Sequence, residues 1–73
     1  MSPKLPRMTG AEMILFLMSR GFRRLRQKGS HVVMESEEGR VTVVPLHRGK
    51  MLGTGIMKAI LKSAGIEEDD LRG

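Results

Sequence analysis

The apolar run at residues 13–18, Met-Ile-Leu-Phe-Leu-Met, is the feature that most restricts how this chain can fold. Consecutive apolar residues suit a buried strand as well as a helix, but here the flanking residues distinguish the two. Thr9 and Glu12 have the spacing of a capping box, in which each side chain bonds the other's backbone amide. Gly21 stands where a helix would end. The sequence therefore predicts a first helix over residues 9–20.

The helical period predicts which side of this helix is buried. At about 3.6 residues per turn, and with Glu12, Ser19 and Arg20 on the solvated side, the side chains expected to face the core are Ile14, Leu17 and Met18, flanked by Met13 and Leu15. Phe16 is predicted to be partly tucked under a loop or, alternatively, to contact a protein.

Three short segments after this helix are typical of strands. Residues 22–27 form the first, and Lys28-Gly29 is expected to make the turn that follows it. Residues 30–35 alternate, which places Val32 and Met34 on one face and His31 on the other. Residues 40–45 are β-branched and end at a proline. Short connections, including a Glu-Glu-Gly turn at residues 37–39, predict an antiparallel meander.

A second helix is predicted after a loop at residues 46–52. Thr54 is its expected cap, Gly65 its expected end, and its buried stripe is predicted to be Ile56, Met57, Ile60, Leu61 and Ala64. The acidic residues 67–70 favour the start of a short terminal turn within residues 67–73, because carboxylates are stabilised at a helix N-terminus. Residues 1–8, which hold two prolines, are expected to be an irregular or frayed lead-in.

These elements predict an α+β fold of the order α-β-β-β-α. Residues 1–73 would form a single domain, with two helices on one face of a three-stranded antiparallel sheet. The order is similar to that of double-stranded-RNA-binding domains, which read RNA shape through phosphates and 2′-hydroxyls. The other face of the sheet must then meet solvent, substrate or a partner.

The distribution of charge indicates a polyanionic partner. The chain carries 13 Lys and Arg against 8 acids, and four of those acids lie at residues 67–70, so residues 1–66 have a net charge of +8. Nucleic acid is the simplest partner for so basic a body, although basic solubilising surfaces are also common. The absence of cysteine excludes disulfides, and the lack of a signal-like or membrane-length apolar run favours a cytoplasmic protein.

The densest basic stretch, residues 23–31, also contains one of the two histidines. Arg24 and Arg26 are candidates for guiding an RNA strand, and Lys28 with the backbone around Gly29-Ser30 for holding a phosphate. His31 is the candidate general base, because imidazole transfers protons near neutral pH. From the residues alone, a surface histidine without a role is the simpler interpretation of His31.

A second candidate phosphate contact surrounds His47, beside Arg48, Lys50 and Thr54 and close before a helix N-terminus. The simplest interpretation of His47 itself is a solvated loop residue. No metal or other cofactor is expected, because metal sites need converging carboxylates or clustered histidines and thiolates, and Glu35 is the only acid suggestively near His31.

Several short motifs, in chain order, together resemble the HicA family of toxin-antitoxin systems: Gly21-Phe22, Gln27-Lys28-Gly29-Ser30-His31, Val44-Pro45, His47, Gly53-Thr54 and Gly65-Ile66. The resemblance implies a type II toxin that is a ribosome-independent mRNA endonuclease and is neutralised by a HicB antitoxin. The family's catalytic histidine follows Gly-Ser at the start of the second strand, which in this chain is His31.

Three classes of function are compatible with these features. The first is an RNA endonuclease toxin that uses His31. The second is a catalytically inert RNA-binding module, which would share the basic face but leave RNA intact. The third is a small protein-interaction subunit that uses the apolar surplus around Phe16 and the methionines.

Overall fold

Six elements follow one another in the order helix, three strands, helix, helix. The computed structural model describes residues 5–72, so the predicted lead-in at residues 1–4 and the last residue of the predicted acidic turn lie outside the described part. The elements are α1 Gly10–Ser19, β1 Phe22–Lys28, β2 His31–Ser36, β3 Val41–Pro45, α2 Thr54–Ala64 and α3 Glu68–Arg72. This order confirms the predicted α+β fold with a three-stranded antiparallel sheet.

Both long helices pack on the same face of the sheet. The strands are ordered β1-β2-β3, and every neighbouring pair is antiparallel. Alternate strand residues Val32, Met34 and Val44 are fully buried and form one core with the apolar sides of α1 and α2. The residues that alternate with them along β2 and β3, including His31, lie on the opposite face of the sheet, here called the open face.

Helix α1 begins with the predicted capping box. The Glu12 N–H donates to Thr9 Oγ1 at 3.2 Å, and the Thr9 N–H donates to Glu12 Oε1 at 2.9 Å. At the other end Gly21 has a φ of +93°, and its N–H donates to the Met18 carbonyl at 3.2 Å. The Glu12 side chain is therefore part of the helix start.

The predicted buried side of α1 is wrong by part of a turn. Met13, Ile14 and Leu17 are buried, whereas Met18 and Leu15 are exposed. Arg20 lies outside the helix as its C-cap, so its position does not mark the solvated side, and including it rotated the predicted face toward Met18. Phe16 is partly buried against the core.

Helix α2 begins one residue earlier than a Thr54 cap requires. Gly53 is the N-cap, no side chain caps the helix, and Thr54 is the first helical residue. Gly65 ends the helix as predicted, with a φ of +70°, and the next residue, Ile66, donates its N–H to Leu61 at 2.9 Å. The predicted stripe included Ile56, which is exposed because it lies beyond the edge of the buried set, about 90° around the helix from the centre of Met57, Ile60, Leu61 and Ala64.

Residues 5–8 are irregular as predicted, but they are not frayed. Leu5 and Met8 pack against the core. The Leu52 N–H donates to the Met8 carbonyl at 2.7 Å, and Thr9 forms an isolated antiparallel bridge with Met51. This segment therefore fixes the end of the loop that precedes α2.

The acidic residues form α3, and its side chains make ion pairs. Asp70 contacts Arg20, just beyond α1, at 3.2 Å, and Arg72 contacts both Glu68 and Asp69. The predicted helical role of this acidic run is confirmed. Among residues 5–72, no helix has the length and apolar character needed to cross a membrane.

Candidate functional site

His31 is the first residue of β2 and is exposed on the open face. Its neighbours across the sheet are Lys28 at the end of β1 and Pro45 at the end of β3. Because Lys28 pairs with His31, the turn between the strands consists of Gly29 and Ser30 instead of the predicted Lys28 and Gly29. Gly29 has a φ of +58°, a conformation that costs glycine little, and this tight turn sets His31 opposite a lysine.

A β-bulge in β1 decides which arginines share a face with His31. Arg24 pairs with Met34 and Arg26 pairs with Val33, so Leu25 is an extra residue without a partner on β2. Residues paired across strands share a face, which puts Arg26 on the open face and Arg24 on the helix side. The strict alternation of a regular strand would have put both on one side.

The cations on the open face of β1 differ in whether they already form an ion pair with an acidic side chain. Arg23 contacts Glu35 at 3.1 Å at the other end of the strands. Arg26 and Lys28 make no ion pair with any acidic side chain of residues 5–72. These two exposed cations are therefore available to a phosphate beside His31.

The loop with the second histidine is attached next to the first. The Leu46 N–H donates to the Ser30 carbonyl, so the end of β3 is tied to the turn before His31. His47 is two positions after Pro45, the partner of His31, which limits the distance between the two histidine Cα atoms to about 12 Å. The Lys50 N–H donates to the His47 carbonyl at 3.0 Å, closing a turn within the loop.

Two cavities open beside this loop, and His47 lines both. The larger, about 400 Å³, lies between the loop and the start of α1, against Thr9 and Arg48. The smaller, about 140 Å³, lies between the loop and the start of α2 and is lined by Pro45, His47, Lys50, Met51, Leu52, Gly53 and Ile56. Thr54 is the next residue in the chain after Gly53, which lines the smaller cavity. The predicted second cluster therefore lies near the end of the sheet that carries His31.

Most acidic residues lie at one end of the sheet, whereas basic residues lie at both ends. The end of the sheet that carries the Gly29-Ser30 turn and the loop at residues 46–52 is here called the His31 end. Glu37 and Glu38 lie in the turn at the opposite end. Helix α2 also ends there, because a Cβ added to Gly65 would lie 2.6 Å from Cζ of Arg40, just before β3. The acidic residues 67–70 follow that helix end, so among residues 5–72 the only acid at the His31 end is Glu12, which caps α1.

The structure thus brings most of the predicted site residues together and separates one. His31, Lys28, Gly29, Ser30, His47, Lys50 and Thr54 lie at the His31 end, with Arg26 on the same face as His31. Arg24 lies on the other face. The sequence interpretation missed Met51 and Ile56, whose exposed side chains line the smaller cavity. No signal in the sequence pointed to Ile56, because its position four residues before Ile60 placed it on the predicted buried stripe.

Metal-binding side chains do not converge in the described part of the chain. Among residues 5–72, no group of three or more His, Asp or Glu side chains is arranged to hold a metal ion. Glu35, which was the suggestive acid, is instead paired with Arg23.

Comparison with known protein families identifies a match over most of the chain. The family described as the HicA toxin of bacterial toxin-antitoxin matches residues 10–66. No curated protein matches the chain. The matched residues run from the start of α1 through the end of α2, so they include the whole sheet and both candidate clusters. The resemblance seen in the sequence is confirmed, and the chain belongs to the HicA family of bacterial toxins.

Proposed function

We propose that this toxin is a ribosome-independent endoribonuclease that cleaves cytoplasmic mRNA and uses His31 as its catalytic residue. The observation that carries the proposal is the place of His31. It is exposed at the start of β2, opposite Lys28, at the end of the sheet from which nearly all acids are absent. The family supports the reaction class, because HicA toxins are generally ribonucleases.

RNA supplies its own nucleophile, so one histidine is sufficient for the chemistry. His31 takes the proton of a 2′-hydroxyl, and the resulting oxygen attacks the adjacent phosphorus. The bond to the 5′-oxygen of the next nucleotide breaks, which leaves a 2′,3′-cyclic phosphate and a 5′-hydroxyl after that oxygen is protonated by the imidazolium or by water. No metal ion takes part in the proposed route.

The remaining residues at the His31 end position the phosphate. Lys28 and the backbone amides of Gly29 and Ser30 are the nearest neighbours of His31 in the strand pair and its turn. Their role in the proposal is to stabilise the negative charge that develops on the phosphate in the transition state. Arg26, on the same face, binds the backbone of the RNA strand that approaches across the sheet. His47, Lys50 and Thr54 contact a neighbouring phosphate. Arg24 belongs to the other face and contributes only at longer range.

The partner that neutralises the toxin is a HicB-like antitoxin, since the family belongs to toxin-antitoxin systems. We propose that it covers the open face. Val41 and Val43 on β3 expose 45% and 43% of their surface on the face that carries His31. Apolar side chains so exposed on a basic face suit a protein contact better than a phosphate contact, and a protein bound there would exclude RNA from His31.

The test is cleavage of pure RNA without ribosomes, in the presence of excess EDTA, by wild-type protein and by His31→Ala. The wild type should cut and should leave 2′,3′-cyclic phosphate ends. Because general acid-base catalysis contributes about 10²–10⁴-fold, the variant should cut slower by that factor while binding RNA with nearly unchanged affinity. Lys62→Ala, at an exposed position near the far end of α2, is the control for surface substitution.

Equal cutting by wild type and His31→Ala would overturn the role of His31. Cutting abolished by EDTA would overturn the metal-free route, and 5′-phosphate ends would point to attack by water. Binding without any cutting by the wild type would favour the inert RNA-binding module.

A further inference from the structure

The smaller cavity at the His31 end has a composition unlike the phosphate-binding surface around it. Two of its walls are the exposed apolar side chains Met51 and Ile56, which expose 51% and 47% of their surface. Pro45 and Leu52 are partly buried and complete the apolar lining. His47 and Lys50 supply the polar rim. An apolar recess of about 140 Å³ with a cationic rim suits a flat, uncharged ring attached to an anionic backbone.

The cavity and the candidate catalytic histidine share a neighbouring residue. Pro45 is both the cross-strand partner of His31 and part of the cavity wall. Cα atoms of such partners are about 5 Å apart, so a phosphate beside His31 lies within one nucleotide of the cavity. The group that would reach it is the base attached to that phosphate or to the next one.

Phe, Tyr and Trp provide no exposed platform for RNA bases in the described part of the chain. The chain has no Trp or Tyr and two Phe. Phe22 is buried in the core, and Phe16 is partly buried against it. Single-stranded RNA is usually read by bases stacked on aromatic side chains, including histidine, or on arginine guanidinium planes. In this cavity His47 is the one flat side chain of the lining, so Met51 and Ile56 take most of the role of contacting a base. Met51 is suited to it, because its sulfur is polarizable and its side chain adapts to different ring shapes.

The backbone around the cavity is fixed before any ligand binds. The loop is tied to the Ser30 carbonyl at Leu46, to the Met8 carbonyl at Leu52, and to Thr9 by the bridge at Met51. Gly53 then starts α2. A cavity held at these points loses little conformational entropy on binding, which favours selectivity among bases.

We propose that this cavity is a nucleobase subsite, in which Met51 and Ile56 contact the base next to the scissile phosphate and set the base preference of cleavage. The proposal rests on the proposed ribonuclease function and extends it to sequence selectivity. His47 and Lys50 at the rim hold the phosphate that carries this base.

The experiment sequences the ends produced from an RNA of randomised sequence by wild type, Met51→Ser, Ile56→Ser and the control Leu15→Ser. Leu15 is also apolar and is 66% exposed, but it lies on α1. Wild type and the Leu15 control should show the same base preference at one position flanking the cut. Because base stacking contributes about fivefold or more per base, both cavity variants should reduce that preference by about fivefold.

A second measurement combines a change in the RNA base with a change in Met51, the two proposed partners of the contact. An RNA oligonucleotide of the preferred sequence with an abasic site at that position should be cut by the wild type more slowly than the intact oligonucleotide, because the abasic site removes the contacts of both Met51 and Ile56. Met51→Ser should slow the cutting of the intact oligonucleotide but should not slow the cutting of the abasic one further, as expected for two groups in contact. Circular dichroism of each variant confirms that the fold is retained.

The outcomes separate the two proposals. A wild type that does not cut RNA overturns the proposed function, and the subsite with it. A wild type that cuts without base preference, or whose preference is unchanged in Met51→Ser and Ile56→Ser, overturns the subsite and leaves the ribonuclease function in place.

Discussion

Arg24 and Arg26 show how a single residue can decide which side chains meet a ligand. They are two positions apart in β1, yet they pair with Met34 and Val33, which belong to opposite faces of the sheet. The extra residue, Leu25, causes the change of phase. The two arginines are both exposed and equal in charge, so they form a matched pair for testing which face binds RNA.

Arg26→Gln should weaken RNA binding, whereas Arg24→Gln should leave it almost unchanged. Each phosphate contact to single-stranded RNA contributes about 0.7 to the slope of log affinity against log salt, so Arg26→Gln should lower that slope by about this amount. Fluorescence anisotropy of a labelled RNA over a salt series measures both quantities. Equal losses in the two variants would show that the open face is not the binding surface.

Gly10 in α1 determines how closely that helix approaches the His31 end. A Cβ added at Gly10 would collide with the Pro45 carbonyl oxygen and would lie 3.2 Å from Cα of Leu46, both backbone atoms. The missing side chain lets the start of α1 pack directly against the end of β3. The strand end that faces His31 and the loop that follows it depend on this contact.

Gly10→Ala should therefore destabilise the protein, although alanine is the better helix former. Overpacking costs about 1–3 kcal/mol, which exceeds the gain of about 1 kcal/mol in helix propensity. Gly55→Ala in α2 is the matched control, because an added Cβ there meets nothing within 4 Å, and it should stabilise by up to about 1 kcal/mol. Urea denaturation at constant protein concentration gives both free energies of unfolding. Stabilisation by both substitutions would contradict the close packing of α1 on β3.

Local patterns predicted the elements better than their exact faces. The capping box at Thr9, the glycine stops of both long helices and the alternation from His31 onward were confirmed because each depends on nearby residues. The buried face of α1 was predicted wrongly because Arg20, which lies just outside the helix, was counted among its solvated residues. The bulge at Leu25 has no strong local signal, since it depends on the register between two strands.

The candidate site was predictable only in part for the same reason. The turn before His31 is local and was visible in the sequence. The cavity beside it depends on contacts between distant segments, such as the bridge between Thr9 and Met51 and the bond from Leu46 to Ser30. Only the fold places Ile56 next to Pro45.

The molecule as a whole places nearly all of its acids away from the His31 end, whereas basic residues lie at both ends. Asp70 of α3 is paired with Arg20 just beyond α1, while Lys28, Arg48 and Lys50 lie at the His31 end. Strand β2 has six residues and so spans about 17 Å, which is roughly twice the Debye length of about 8 Å at physiological salt. The acidic end therefore acts weakly on an anion at His31, and the local field there is more positive than the net charge of +5 suggests.

The location of charge, more than its total, should then control RNA affinity. Arg48→Gln with Lys50→Gln lowers the net charge by two at the His31 end and should lower the salt slope by about 1.4, at about 0.7 per lost phosphate contact. Glu37→Lys with Glu38→Lys raises the net charge by four at the opposite end. That larger change should alter affinity by less than about twofold at 0.15 M salt, because salt screens the added lysines from an anion bound at the His31 end.

Anisotropy titrations of both double variants and the wild type at 0.15 M salt test this contrast, and thermal melting checks that both are folded. Measured at about 0.01 M salt, where the Debye length reaches about 30 Å, the Glu37 and Glu38 variant should gain affinity, because the added lysines then act across the whole sheet. An affinity that follows net charge alone at 0.15 M salt would contradict a confined binding site at the His31 end. It would instead indicate RNA bound diffusely over the whole basic surface.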